Sequence, residues 1–582
     1  MKVFLDLLWF FKQEKKSYIF GVLLLLIVAL LQLIPPKIIG VVVDEIQNHT
    51  LTKATLVQWI VVLIVSGVIM YALRYYWGIM IFGSSVKLGR QLRNQLYEHF
   101  TKMSPHFYQK RRIGDLMAHA TNDLQVIRET AGSGVLTLVD SLATGGFVII
   151  TMATTISWKL TLISLIPMPL MAILTSYYGT LLHKHFHKAQ EAFSSLNDKT
   201  QESITGIKVI KTFGQEAEDI EDFRKQSEDV VDKNVLVAKV DSLYDPTISI
   251  IVGLSFFLSI AFGAKYVLNG ELSIGELVSF TTYLGLLIWP MLAFGWLFNI
   301  VERGRASYDR VTALLAEKEE IVDDENALAI TPTGDIQYDI HQFYYPEERK
   351  PVLEDISFSV KRGETLGIVG KTGAGKTTLL KLLIREFDVE DGDIYIGEHP
   401  LSYYKMNSLR EAVGYVPQDH FLFSTTVAEN IAFTDPSATM EKITQAAEIA
   451  NIHEDILNFT DGYKTLVGER GVSLSGGQKQ RISIARALFM NPEILVLDDS
   501  LSAVDAKTEE AILSALKENR MGKTTIITAH RLSAIQHANI ILVLDEGKII
   551  QRGTHEELMS VNGWYKDMFL RQQLEELVEH GG

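Results

Sequence analysis

The residues most able to do chemistry stand together in Gly370-Lys371-Thr372-Gly373-Ala374-Gly375-Lys376-Thr377. This fits G-x-x-x-x-G-K-[ST], follows an apolar run and precedes a helix opening at Thr378, the setting in which such a loop binds phosphate. The glycines let backbone N–H groups curl round an anion at a helix N-terminus. Lys376 can reach β and γ phosphates, and the Thr377 hydroxyl suits magnesium. Downstream, Ile494-Leu495-Val496-Leu497 reads as a buried strand ending in Asp498-Asp499. That sets carboxylates at the carboxyl edge of a sheet, beside the phosphates, with Asp498 the natural magnesium partner, directly or through water.

Such a loop needs an α/β scaffold. Short β-branched runs at Thr365 to Val369, Ile494 to Leu497, Thr524 to Ile527 and Ile540 to Leu544 alternate with helical segments, as a P-loop sheet requires. This α/β domain is expected over 335–575, after an acidic linker over 316–334 and before a tail over 576–582. The preceding 1–315 differ in kind. They hold apolar stretches near 18–43, 56–83, 133–157, 160–182, 245–268 and 276–300, each long enough to cross a bilayer, so an all-helical six-span membrane domain is expected. The apolar run from Tyr18 to Pro35 is too long for a secretory signal and reads as a retained first span.

Basic residues set the orientation. Lys87, Arg90, Arg93, Lys110, Arg111 and Arg112 lie between spans two and three, and Lys184, Lys188, Lys199, Lys208 and Lys211 between four and five. These loops, both termini and the α/β domain are therefore expected in the cytoplasm, with the protein in the cell membrane. Helical periodicity continues out of the bilayer, with short elements at Gly114 to Asp123 and Thr200 to Gly214 that are either tip helices or solvated loops. Prolines 35, 36 and 290 are expected to kink the first and sixth spans. The formal net charge of −15, without a basic stripe, argues against nucleic-acid partners, and zero cysteines exclude disulfides and thiolate metal sites.

From about Asp335 to Gln573 the order of motifs resembles an ABC-transporter nucleotide-binding domain, which implies ATP and Mg2+. Leu474-Ser475-Gly476-Gly477-Gln478 is similar to the family's signature sequence, which contacts the γ phosphate of ATP held by an opposing subunit and so implies a dimer. The same resemblance gives Tyr345 an adenine-stacking role, makes Gln418 the Q-loop residue sensing magnesium, Ser502 to Asp505 the D-loop, and His530 the switch histidine. The six spans resemble the bacterial multidrug-exporter branch, and Gly114 to Met117 and Gly206 to Lys211 look like its two coupling helices.

One residue departs from the family. Where a glutamate usually polarises the attacking water, this chain has Asp499. The shorter side chain draws the carboxylate back by about 1 Å, a misplacement able to cost on the order of 100-fold in rate. With the signature intact, the sequence resembles the BmrC/LmrC type of half-transporter, whose partner is a different second half. A slow homodimer stays open. Substrates are expected to be amphipathic small molecules, with Asp140 of span three and Trp289, Phe294, Trp296 and Phe298 of span six as candidate contacts; helix packing is their alternative role. A lipid or peptide exporter and an ATP-gated regulatory subunit remain alternatives.

Overall fold

A computed structural model describes the backbone of residues 2–346, 348–468 and 473–580, and the side chains of these except at 172, 294, 295 and 576–580. The chain forms two compact units. One comprises Met1–Lys102 and Arg111–Lys318, the other Met103–Lys110 and Glu319–Gly582.

In the first unit, five helices among the described residues are long and apolar enough to cross a bilayer: Lys15–Gln47, Lys53–Lys102, Ile113–Leu165, Glu216–Leu268 and Ile274–Leu315. The stretch expected as span four, 160–182, is instead divided. Ser157 is extended (φ −159°, ψ 116°), its hydroxyl accepts from Leu160 N, and a short helix Trp158–Leu165 follows the break. Pro167 then precedes Met168–Thr205. Proline lacks the N–H that would continue the ladder and its ring crowds the preceding turn, while His183 and Lys184 end the apolar run early. The first run breaks at Gln32 and Leu33, with proline in the first turn of Ile34–Gln47, and the last breaks at Leu287, just before Pro290.

At about 1.5 Å per residue the 50-residue helix Lys53–Lys102 reaches about 75 Å, more than twice a hydrocarbon core of about 30 Å, so it projects well out of the bilayer. The two tip elements are helices, Ile113–Ala118 and Ile207–Phe213, the second closed by Gly214 at φ 64°. Small residues let spans meet closely. A Cβ at Gly40 would lie 2.4 Å from Gly275 O, and Asp44 accepts from Gly275 N and Ser273 Oγ at 2.7 and 2.6 Å.

The second unit holds ten strands: β1 (Ile336–Phe343), β2 (Leu353–Val360), β3 (Thr365–Gly370), β4 (Asp391–Ile396), β5 (His399–Pro400), β6 (Val413–Val416), β7 (Ile494–Asp498), β8 (Thr524–Thr528), β9 (Ile540–Asp545) and β10 (Lys548–Gly553). An antiparallel sheet runs β2-β1-β4-β5; the larger sheet runs β10-β9-β3-β8-β7-β6, parallel except for β10 on β9. The parallel strands are buried on both faces and read as runs of apolar and β-branched residues. Ile368, Val496, Ile526 and Leu542 face one core, shared with β1, β2 and the helix Lys376–Leu383. Their neighbours Val369, Leu497, Ile527 and Val543 face the other, under Met440–Ile449, Gly476–Phe489 and Ala506–Asn519.

Three boundaries differ from those read in the sequence. Most of the 316–334 linker packs on the α/β unit: Asp323 accepts from Met406 N, Val322 O accepts from Arg385, and Leu328 bridges to Tyr404. Met103–Lys110 belongs to the same unit, where buried His106 bonds Glu320 at 2.9 Å and packs edge-on against Phe387. The last helix, Trp564–His580, runs past 575; residues 581–582 lie outside the described ones.

Candidate functional site

The phosphate loop lies between β3 and the helix Lys376–Leu383. Gly373 and Gly375 take φ 83° and 98°, and a Cβ at Gly375 would meet Leu353 at 2.7 Å, so the turn there needs glycine. Lys376 Nζ donates to Gly370 O at 2.8 Å and Lys371 O at 3.0 Å, which folds the ammonium back over the loop. Burial pushes that ammonium below the ordinary lysine range, with Asp499 and Asp498 opposing. The Lys371 side chain pairs with Asp545 at 3.0 Å, so this residue offers the loop only its backbone. Thr372 is exposed, Ala374 buried.

Parallel pairing of β7 with β6 and β8 brings the acidic end of β7 to this loop. Asp498 is 2% exposed. It accepts from Thr377 Oγ1 at 3.2 Å, Thr528 Oγ1 at 2.7 Å and Tyr415 OH at 3.1 Å. Asp499 sits at φ 46°, a region unfavourable for a side chain but tolerated by aspartate, held by its N–H donating to Thr528 O and Oγ1 at 3.1 and 2.9 Å. Its Oδ2 is 3.9 Å from Nε2 of half-exposed His530. Burial pushes the Asp499 carboxyl above the usual carboxylate range, against the pull of His530. Gln418 is exposed just past β6.

Tyr345 lies beside the loop helix: its hydroxyl is 2.9 Å from Thr378 Oγ1, and its ring meets Phe343 and Phe387 edge-on. It lines a cavity of about 590 Å³ with Tyr344, Glu386 and Phe387.

The signature residues open the helix Gly476–Phe489. Ser475 Oγ accepts from Gln478 N while the Gln478 side chain accepts from Ser475 N, a reciprocal cap. Gln478 also donates to Asp455 at 3.2 Å. A Cβ at Gly477 would lie 2.8 Å from Ala503 O, so the signature helix abuts the 502–505 loop. Asp505 caps the next helix, accepting from Thr508 N at 3.0 Å.

Three residues that sequence reasoning passed over complete the site. Tyr415 and Thr528 hold Asp498. Gln480, fully buried, receives Ala503 N at 3.0 Å and donates to Asp499 O at 3.4 Å, joining signature helix, acidic strand end and following loop. Strand register places Tyr415 and Thr528, and the packing of the signature helix places Gln480; their spacing in the sequence carries no sign of it.

The membrane unit encloses a second cavity, of about 1180 Å³. Asp140, Trp289 and Trp296 line it; Phe298 does not, and the side chain of Phe294 lies outside the described residues.

The family described as ABC transporter transmembrane region matches residues 18–291, and that described as ABC transporter matches 353–502. The chain is similar to the multidrug resistance-like ATP-binding protein MdlA of Escherichia coli, 49% identical over 575 residues, which take in 99% of this chain and 97% of the relative. The chain belongs to the ABC transporters. A second similar exporter-type relative, the probable multidrug resistance ABC transporter ATP-binding/permease protein YheI of Bacillus subtilis, is 46% identical over 566 residues, 97% of each chain. A solved bacterial Atm1-family ABC exporter with ATP bound superposes with a TM-score of 0.79 at 27% identity, covering 96% of this chain and 98% of that one. The chain is thus an ABC exporter half with fused transmembrane and nucleotide-binding domains. It binds ATP, couples its hydrolysis to transport, and works as a dimer in a lipid bilayer.

Proposed function

We propose that this chain is one half of a heterodimeric exporter that moves amphipathic drugs out across the cell membrane, with its termini and ATP-binding cassette in the cytoplasm. Its own ATP site is the slow one, and its signature serves the site of a different second half. The observation that carries this is Asp499 where the family has glutamate, beside an intact Ser475-Gly476-Gly477-Gln478.

Asp499 and His530 stand together at the strand end, yet the short aspartate is drawn back from where water must be polarised. Lys376 neutralises phosphate charge and Tyr345 stacks on adenine. Asp505 belongs to the segment that senses the neighbouring cassette. Thr377 and Asp498 offer hard oxygens 3.2 Å apart, a donor set that fits Mg2+, with exposed Gln418 as a further oxygen. Bound there, the ion neutralises charge on the phosphates. ATP at both sites closes the cassettes, the helices around Gly114 to Met117 and Gly206 to Lys211 pass this to the spans, and the cavity turns from inward-open to outward-open.

Expressing the chain alone tests the degenerate site. It should bind ATP and turn it over slowly; brisk turnover unchanged by Asp499→Asn would sink the idea.

A further inference from the structure

The membrane cavity is not simply apolar. Along its wall Trp289 and Trp296 are followed, on the same helix, by Arg303; Arg74, Glu129 and Asp140 complete its charged lining. A Cβ at Gly145 would lie 3.7 Å from Pro290 and one at Gly134 3.3 Å from Ile300, so Asp140, between them on its helix, stands at the level of the tryptophans, with Arg303 further along. A cavity that sets ionic groups beside aromatic faces suits an amphiphile.

The charges balance, two of each sign, and this restricts the head group. A lone cation drawn to Asp140 also meets Arg74, which lines the same cavity. A lone anion meets the reverse. An uncompensated second charge in the same cavity opposes that gain. A head carrying both signs gains from each.

The partners of these groups point the same way. Arg310 on the same helix as Arg303 is tied to Asp123, with Ser307 and His119 completing that set, as a structural arginine is. Among the described residues Arg74 has no hydrogen-bond partner although it faces the cavity. Asp140 accepts from Thr144 on Oδ1 at 3.2 Å, and its Oδ2 accepts no hydrogen bond among the described residues. A guanidinium fork and a carboxylate oxygen are thus both available.

We propose that this cavity takes amphiphiles with a zwitterionic head, the anionic group held by Arg74, the cationic group by Asp140, and the apolar body against Trp289 and Trp296. The direction of movement rests on the export reading above; the binding does not.

The test uses the full chain in its functional dimer and three xanthene dyes: a rhodamine ester (cation), the free-acid rhodamine (zwitterion) and a fluorescein blocked as its 3-O-methyl ether (monoanion), with uncharged Nile red as the control. Binding is read by quenching of tryptophan fluorescence. The free acid should bind about tenfold tighter than either singly charged dye, the scale of one charge-assisted hydrogen bond. Arg74→Gln should shift preference to the ester and Asp140→Asn to the fluorescein, while Nile red affinity, unchanged in both variants, shows that they are folded. Equal affinities for the three dyes, unmoved by both substitutions, would overturn the proposal. Competition by a zwitterionic phospholipid in vesicles would support the site and assign it to lipid; its failure beside tight dye binding would support the site and assign it to aqueous solutes. Loss of ATP-driven Nile red accumulation in inside-out vesicles, with the head-group preference intact, would support the site while contradicting export.

Discussion

Asp499 carries two constraints at once. Its backbone is locked at φ 46° by two hydrogen bonds to Thr528, and its carboxylate reaches only to within 3.9 Å of His530. Lengthening the side chain by one methylene leaves the backbone cradle as it is and advances the carboxylate. Asp499→Glu should therefore raise ATP turnover at this chain's own site by up to about 100-fold, measured as single-turnover hydrolysis with the partner's site inactivated. A different residue tests the electrostatics of the pocket beside Tyr345. Burial raises the Glu386 carboxyl above its ordinary range, more than Lys381 and Arg410 lower it. A raised folded pKa means that its contribution to stability is fully present below the unfolded value, about 4.3, and is lost as pH rises through the folded one. Glu386→Gln should then melt higher than the parent at pH 8 and level with it near pH 4, by thermal denaturation of the full chain. An equal gap at both pH values would contradict this.

At the scale of elements, the signature helix, the end of β7 and the 502–505 loop are tied together because Gln480 bonds both of the others and Gly477 admits the close approach. Gly477→Ala places a methyl 2.8 Å from a carbonyl oxygen that belongs to backbone, so the loop must shift. Turnover at the partner's site should fall about 100-fold, while nucleotide binding to this chain's own Lys376 loop, followed with a fluorescent ATP analogue, stays near parental. Four of the five parallel strands, β3, β7, β8 and β9, were legible in the sequence because burial on both faces leaves β-branched and apolar runs, whereas β6 is four residues long and interrupted by Gly414. The antiparallel β1, β2 and β4 alternate buried and exposed residues and carry no such run. Tyr415, Thr528 and Gln480 were illegible for another reason: their function is a product of register between segments far apart in the chain. The division of the 160–182 stretch at Pro167 shows the opposite case, where hydropathy is legible and a local backbone break is not.

Over the whole molecule, the phosphate loop and the signature play unequal parts. On the proposed reading, the loop of this chain holds ATP next to a weakened base, while the signature, capped by its own Ser475 and Gln478, serves the site of a second subunit. Two sites of unequal speed follow if the second half carries a glutamate. The most direct measurement compares steady-state ATP turnover of the assembled pair carrying either Asp499→Asn or Ser475→Ala in this chain alone. Slow chemistry at its own site predicts that Asp499→Asn leaves most of the turnover while Ser475→Ala removes nearly all of it. Turnover abolished by Asp499→Asn and spared by Ser475→Ala would contradict the account.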